Sequence, residues 1–155
     1  MKEEVYKILE SIVGAGNLSR DPAVLDTYIW QFPAEFFMPG DRFMPFRPEA
    51  VALPGSTEEV QAIVKLCNMQ GLKFKPMSTG FIVSNSPVQP GVIQIDLCRM
   101  NHIVEWNEKD MYVVVEPFVG WRELQAEAWK RGFDVSAPAV GGNTSVVANC
   151  TGTWG

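Results

Sequence analysis

The chain has 155 residues, of which 46% are hydrophobic and 20% charged. That is the composition of an ordinary globular domain, and a chain of this size removes roughly 68–70% of its unfolded surface from water without needing disulfides or a structural metal. Thirteen basic against eighteen acidic side chains leave a formal charge of −5, which repels a phosphate backbone and excludes nucleic acid as the expected partner.

Val5, Ile8, Leu9 and Ile12 recur at the spacing of a helix that packs one face, and Gly14 and Gly16 stop it. Asp21 followed by Pro22 predicts a second helix, capped by a side chain and started by proline, running through Val24 and Leu25 toward Tyr28. From residue 32 to 48 the prolines Pro33, Pro39, Pro45 and Pro48 alternate with Phe36, Phe37, Phe43 and Phe46. Each proline disfavours helix at itself and at the residue before it. An extended segment pinned by its aromatics is expected there.

The apolar run Ala50, Val51, Ala52 and Leu53, ended by Pro54 and Gly55, predicts a buried strand. Ser56 and Glu59 then form a capping box, with Val60, Ile63, Val64 and Cys67 as the buried helix face and Gly71 as the stop. Leu72 to Pro76 read as a strand, so residues 50–76 predict a βαβ unit with parallel strands and a ligand-facing loop at a strand's carboxyl end. Runs of β-branched residues predict strands at 92–97, 103–106 and 112–115, with a turn at 107–110. Trp121, Leu124 and Ala128 have helical spacing, and Gly132 stops that helix. The fold expected is α/β or α+β, without internal repeats.

Cys67, Cys98 and Cys150 make no C-x-x-C pair, and His102 is the only histidine. Neither a disulfide framework nor a zinc site follows, and the thiols read as small buried hydrophobes in a reducing compartment. The charged start, Lys2, Glu3 and Glu4, lacks the apolar core of a signal peptide, and no stretch approaches the ~20 apolar residues of a membrane span. A cytoplasmic location is expected.

Two loops carry candidate chemistry. The first, Pro76-Met77-Ser78-Thr79-Gly80-Phe81 with Ser84 and Asn85 beyond it, follows a strand and can turn successive N–H groups toward an anion such as pyrophosphate. Its composition also suits an ordinary surface loop. It is neither a Walker loop nor a G-x-G-x-x-G fingerprint. The second runs from Ser136 through Pro138, Gly141, Gly142, Asn143 and Thr144 to Asn149. There the missing Cβ atoms let backbone approach a planar or charged ligand, although a glycine-rich connection would look the same.

The order of these motifs is Pro76-Met77-Ser78-Thr79-Gly80, then Ile95-Asp96-Leu97 with Met100-Asn101-His102, then Val114-Val115-Glu116-Pro117, then Gly141-Gly142-Asn143. Over roughly residues 46–155 it resembles the flavin-binding domain of the vanillyl-alcohol oxidase / p-cresol methylhydroxylase (PCMH-type) superfamily. The chain is also similar to glycolate-oxidase-type FAD-linked subunits. The resemblance implies an α+β fold: the first subdomain of a PCMH-type FAD-binding domain, with a small βαβ-containing sheet flanked by helices. Residues 1–45 would be a helical and extended lead-in.

The resemblance further implies FAD as cofactor. Pro76, Met77, Ser78, Thr79, Gly80 and Phe81, with Ser84 and Asn85, would face its pyrophosphate; Gly141, Gly142, Asn143 and Thr144, with Pro138 and Asn149, would lie along its other side. Phe81, Ser84 and Asn85 stand where relatives carry glycines, and Phe118 stands where a glycine follows the Glu-Pro pair. His102 lies outside the pyrophosphate loop, which excludes a histidyl–flavin bond formed by that loop. Relatives continue into a second flavin subdomain and a substrate cap, so this chain reads as the front portion of a longer flavoenzyme and inactive alone. The full enzyme would take a hydride from an alcohol, a 2-hydroxy acid or a 4-alkylphenol. The other reading is a non-catalytic scaffold or nucleotide-binding module that docks, through its exposed apolar surface, with a partner chain or a second copy.

Overall fold

The computed structural model describes residues 1–29, 46–80, 87, 89–136 and 141–151. The chain forms two compact units, the first of residues 1–77 and 81–96, the second of residues 78–80 and 97–155. Most of the expected aromatic segment, residues 30–45, lies outside the described residues.

In the first unit, α1 spans Glu3–Val13 and ends at Gly14, whose φ of 85° only glycine adopts without strain. Its buried stripe is Val5, Leu9 and Val13, while Ile8 is 44% exposed. The helix therefore presents an i, i+4, i+8 line rather than the broader face expected. A single 3-10 turn (Ala15–Asn17) leads to the two-residue strand β1, Leu18–Ser19, which the sequence pattern did not reveal. Helix α2, Pro22–Asp26, starts as predicted, with Asp21 accepting from the Ala23 amide at 2.8 Å, but it stops two residues short of Tyr28.

Strand β2, Ala50–Ala52, is fully buried. Helix α3, Thr57–Gln70, begins at the capping box: Ser56 Oγ accepts from the Glu59 amide at 3.2 Å. The Glu59 carboxylate accepts from the Gly55 amide at 2.7 Å, one residue before the cap. Gly71 closes the helix in the left-handed conformation at φ 65°. Ile63, Leu66 and Cys67 form its buried face, and burial pushes the Cys67 thiol up from its ordinary value. Cys98 is half-buried and Cys150 exposed, so burial does not describe all three thiols.

Strands β3, Lys73–Met77, and β4, Val92–Asp96, complete a sheet of order β1-β2-β4-β3. The βαβ unit is present, with one difference from the expected arrangement. β2 and β3 do not touch; β4 lies between them and is parallel to both, pairing Ala50 with Ile93 on one side and Phe74 with Ile93 on the other. A strand with ladders on both edges is satisfied along its whole backbone, which fits a run buried at all five positions.

Gln94 departs from that apolar strand. It is 0% exposed, and among the described residues neither its amide nitrogen nor its amide oxygen has a hydrogen-bond partner. Lys75 neighbours it in register, its ammonium drawn down by burial. An orphaned buried amide costs about 1–3 kcal/mol. Gln94→Leu should therefore raise stability by roughly 1 kcal/mol or more in urea denaturation.

In the second unit, β5, Ile103–Asn107, and β6, Tyr112–Val115, form an antiparallel pair with a bulge at Val104. The predicted turn is held by Asn107, whose side-chain oxygen accepts from the Asp110 amide at 2.9 Å. Helix α4, Trp121–Lys130, covers one face of the pair. Val119, Leu124 and Val146 form the core, against which Ile103, Trp106, Val113 and Val115 pack. A last helix, α5, Val146–Thr151, occupies a stretch expected to be a glycine-rich connection. No described helix is long and apolar enough to cross a membrane.

Candidate functional site

Pro76 and Met77 end β3 in the first unit, where they pair in register with Ile95 and Asp96. Asp96 is 7% exposed and accepts from the Tyr28 hydroxyl at 2.8 Å, which ties the helical lead-in to the carboxyl end of β4. Phe81, Ser84, Asn85 and Pro138 lie outside the described residues.

Ser78, Thr79 and Gly80 belong to the second unit, together with the glycine turn. Gly80 takes a φ of 70° and Gly141 a φ of 83°, both in the region that a Cβ penalises. The turn then closes on itself: the Thr144 amide and hydroxyl both donate to the Gly141 carbonyl at 2.7 Å. The Asn149 side chain, reaching back from α5, donates to the Thr144 hydroxyl oxygen. Thr144 and Asn149 thus brace the turn.

On its other side the turn caps α4. Helix α4 has no side-chain cap; instead its Arg122 amide donates to the Gly142 carbonyl at 2.8 Å and its Trp121 amide to the Thr144 carbonyl at 3.1 Å. In a planar trans peptide the N–H points opposite to the C=O. The amides of Asn143 and Ser145, which follow those two carbonyls, therefore point away from α4. The Ser145 amide reaches Thr79, donating to its Oγ1 at 2.9 Å. That bond joins the two loops expected to hold the cofactor.

The donors left over suit an elongated polyanion. Among the described residues, the amides of Thr79, Gly80, Gly142 and Asn143 donate to no acceptor. Thr79 Oγ1 uses a lone pair on Ser145, which leaves its hydroxyl proton to give. A concave set of backbone donors is the means by which protein binds phosphate without a dedicated lysine. Arg122 adds a cation beside the turn: its Nε and Nη2 stand 3.7 and 3.9 Å from the point that a Cβ on Gly142 would occupy. These residues fit the diphosphate of a dinucleotide. A separate apolar depression, lined by Trp106, Met111, Tyr112 and Phe133, contains none of the expected site residues.

Ser145 falls within the second candidate loop but was given no role by sequence reasoning, although it is 0% exposed and central to the turn. Small hydroxyl residues are common in loops, and its partners Thr79 and Pro117 lie far away in sequence, so no local pattern signals it. His102 pairs with Glu116, its Nδ1 2.7 Å from Oε2, while the His102 amide donates to the same oxygen at 2.8 Å. The pair clamps the start of β5 to the end of β6.

A family model described as FAD binding domain matches residues 48–155. The chain is 37% identical over 108 residues to 1'-carboxy-chondrochloren decarboxylase of Chondromyces crocatus, a match covering 66% of this chain and 20% of that protein. Among solved structures it is similar to 4-ethylphenol oxidase from Gulosibacter chungangensis, at 32% identity and a TM-score of 0.81, over 94% of this chain and 28% of that one. It is also similar to p-cresol methylhydroxylase, at 25% identity and a TM-score of 0.81, over 95% and 28% of the respective chains. The chain thus spans between a fifth and three-tenths of the length of these relatives.

Proposed function

The chain belongs to the FAD binding domain family, and from that premise we propose that it is the cofactor-binding front portion of a flavin-dependent oxidoreductase. Its cofactor is FAD. The chemistry supplied when FAD is bound is acceptance of a hydride from a substrate carbon, which we assign to an alcohol, a 2-hydroxy acid or a 4-alkylphenol. The residues of this chain bind and orient the cofactor. The amides of Thr79, Gly80, Gly142 and Asn143, with the Thr79 hydroxyl, donate to the diphosphate. Pro76, Met77 and Ser78 lead the chain into that loop, and Thr144 and Asn149 hold the turn against α4. Phe81, Ser84, Asn85 and Pro138 are assigned to the same cofactor from their place in the two loops. Residues 1–45 form the lead-in to this binding region, and we place the protein in the cytoplasm.

The observation that supports this reading is the 2.9 Å hydrogen bond from the Ser145 amide to Thr79 Oγ1, because it brings together two loops 66 residues apart that were each expected to face the same ligand. Titration of the purified 155-residue chain with FAD tests it. Saturable quenching of flavin fluorescence is expected, with riboflavin, which lacks the diphosphate, binding more weakly. Fluorescence that stays unquenched across the titration would refute the assignment.

A further inference from the structure

We propose that Ser145 is a positioning residue for the cofactor site, a strut that sets the spacing between the loop after β3 and the glycine turn. The proposal rests on the reading of this chain as an FAD binder. Ser145 is 0% exposed and bonds to three segments at once. Its amide donates to Thr79 Oγ1 at 2.9 Å. Its hydroxyl donates to the Pro117 carbonyl at 2.6 Å, in the connection between β6 and α4, and accepts from the Ala148 amide at 3.1 Å, in the first turn of α5. It also lies opposite Gly120, the residue that caps α4, in a bridge whose hydrogen bonds run from the Trp121 amide to the Thr144 carbonyl and from the Val146 amide to the Val119 carbonyl.

A hydroxyl has one proton to donate, and Ser145 has committed it to Pro117. Being buried as well, the side chain has nothing to offer a ligand. Its influence on the cofactor therefore passes through Thr79 and the turn. Thr79 differs: it receives the Ser145 amide and retains its own hydroxyl proton. The strut thereby holds Thr79 Oγ1 in place beside the turn. Loss of the Pro117 and Ala148 bonds would free Ser145 to shift, and Thr79, Gly142 and Asn143 would lose their common frame.

Two pairs of variants test this in the 155-residue chain, at a temperature where circular dichroism shows each one folded. Ser145→Ala should weaken FAD binding by about three- to tenfold, the worth of a net hydrogen bond, and Ser145→Thr, which keeps the hydroxyl, should recover most of it. Thr79→Val should weaken binding at least as much and speed hydrogen exchange at the Ser145 amide, whereas Thr79→Ser should preserve both. If Ser145→Ala does not fold, the Thr79 pair decides the question alone. Folded Ser145→Ala that binds FAD as tightly as wild type would overturn the proposal, as would unchanged exchange at Ser145 in Thr79→Val. Wild-type protein that fails to bind FAD would instead overturn the cofactor reading. The strut would then be judged by amide exchange at Thr144, Trp121 and Arg122, whose hydrogen bonds hold the turn and which must quicken in Ser145→Ala if Ser145 sets its spacing and stay unchanged if it does not.

Discussion

Ile93→Ala should destabilise the first unit by about 2–5 kcal/mol, read as a lower midpoint in urea or thermal denaturation. Ile93 is 0% exposed at the second position of β4 and lies in register between Ala50 and Phe74. Ala50 is already the smallest side chain able to line that row, so the space vacated by three carbons cannot be filled from that side. The cost then combines lost transfer energy with an unrelaxed cavity. Phe74→Ala is the internal comparison: Phe74 sits on the edge strand β3 and is 37% exposed, so its larger truncation should cost less than its size suggests. A smaller loss for Ile93→Ala than for Phe74→Ala would mean that β4 is not the centre of the sheet.

The second large effect concerns two adjacent glycines that should behave differently. Gly141 has a φ of 83°, where a Cβ meets the following carbonyl at a cost of roughly 1–2 kcal/mol. That carbonyl is the acceptor for both the amide and the hydroxyl of Thr144, so Gly141→Ala should loosen the turn and reduce FAD affinity about tenfold, equivalent to about 1.4 kcal/mol. Gly142 has no such φ, and its nearest neighbours to an added Cβ, all atoms of Arg122, stand at 3.7–3.9 Å, ordinary contact distance. Gly142→Ala should therefore leave the melting temperature within a degree or two. Any fall in FAD affinity for Gly142→Ala, measured by the same titration, then reports the approach of the ligand or of Arg122 and not a damaged turn. Equal destabilisation by the two substitutions would contradict this account.

Sequence patterns located most elements because their signals are local. The capping pair Ser56 and Glu59, the stop at Gly71 and the β-branched run from Val92 each specify structure within a few residues. The order of strands is not local: nothing in the composition of β2, β3 or β4 says which lies in the middle. The uniform burial of β4 fits a strand with two neighbours, but its sequence, with Val92, Ile93 and Ile95 beside Gln94 and Asp96, fits an edge under a helix equally well. Helix α5 was missed for a different reason. Val146, Val147, Asn149, Cys150 and Thr151 are all weak helix formers, and the glycines before them suggested a loop; the helix is started by Ser145, whose capping bond to Ala148 appears only in the folded chain. Of the site, the sequence revealed both loops through glycines and hydroxyls. It did not reveal the bond that joins them, which depends on a contact between positions 79 and 145.

The position of β4 also bears on how the protein is made. Strands β2 and β3 emerge from the ribosome first, yet each finds its parallel partner only in β4. Until Asp96 has been synthesised, both must wait with open edges, an exposure that invites mispairing and engagement by chaperones. The last strand of the first unit to be translated is thus the one that lets the other two assemble.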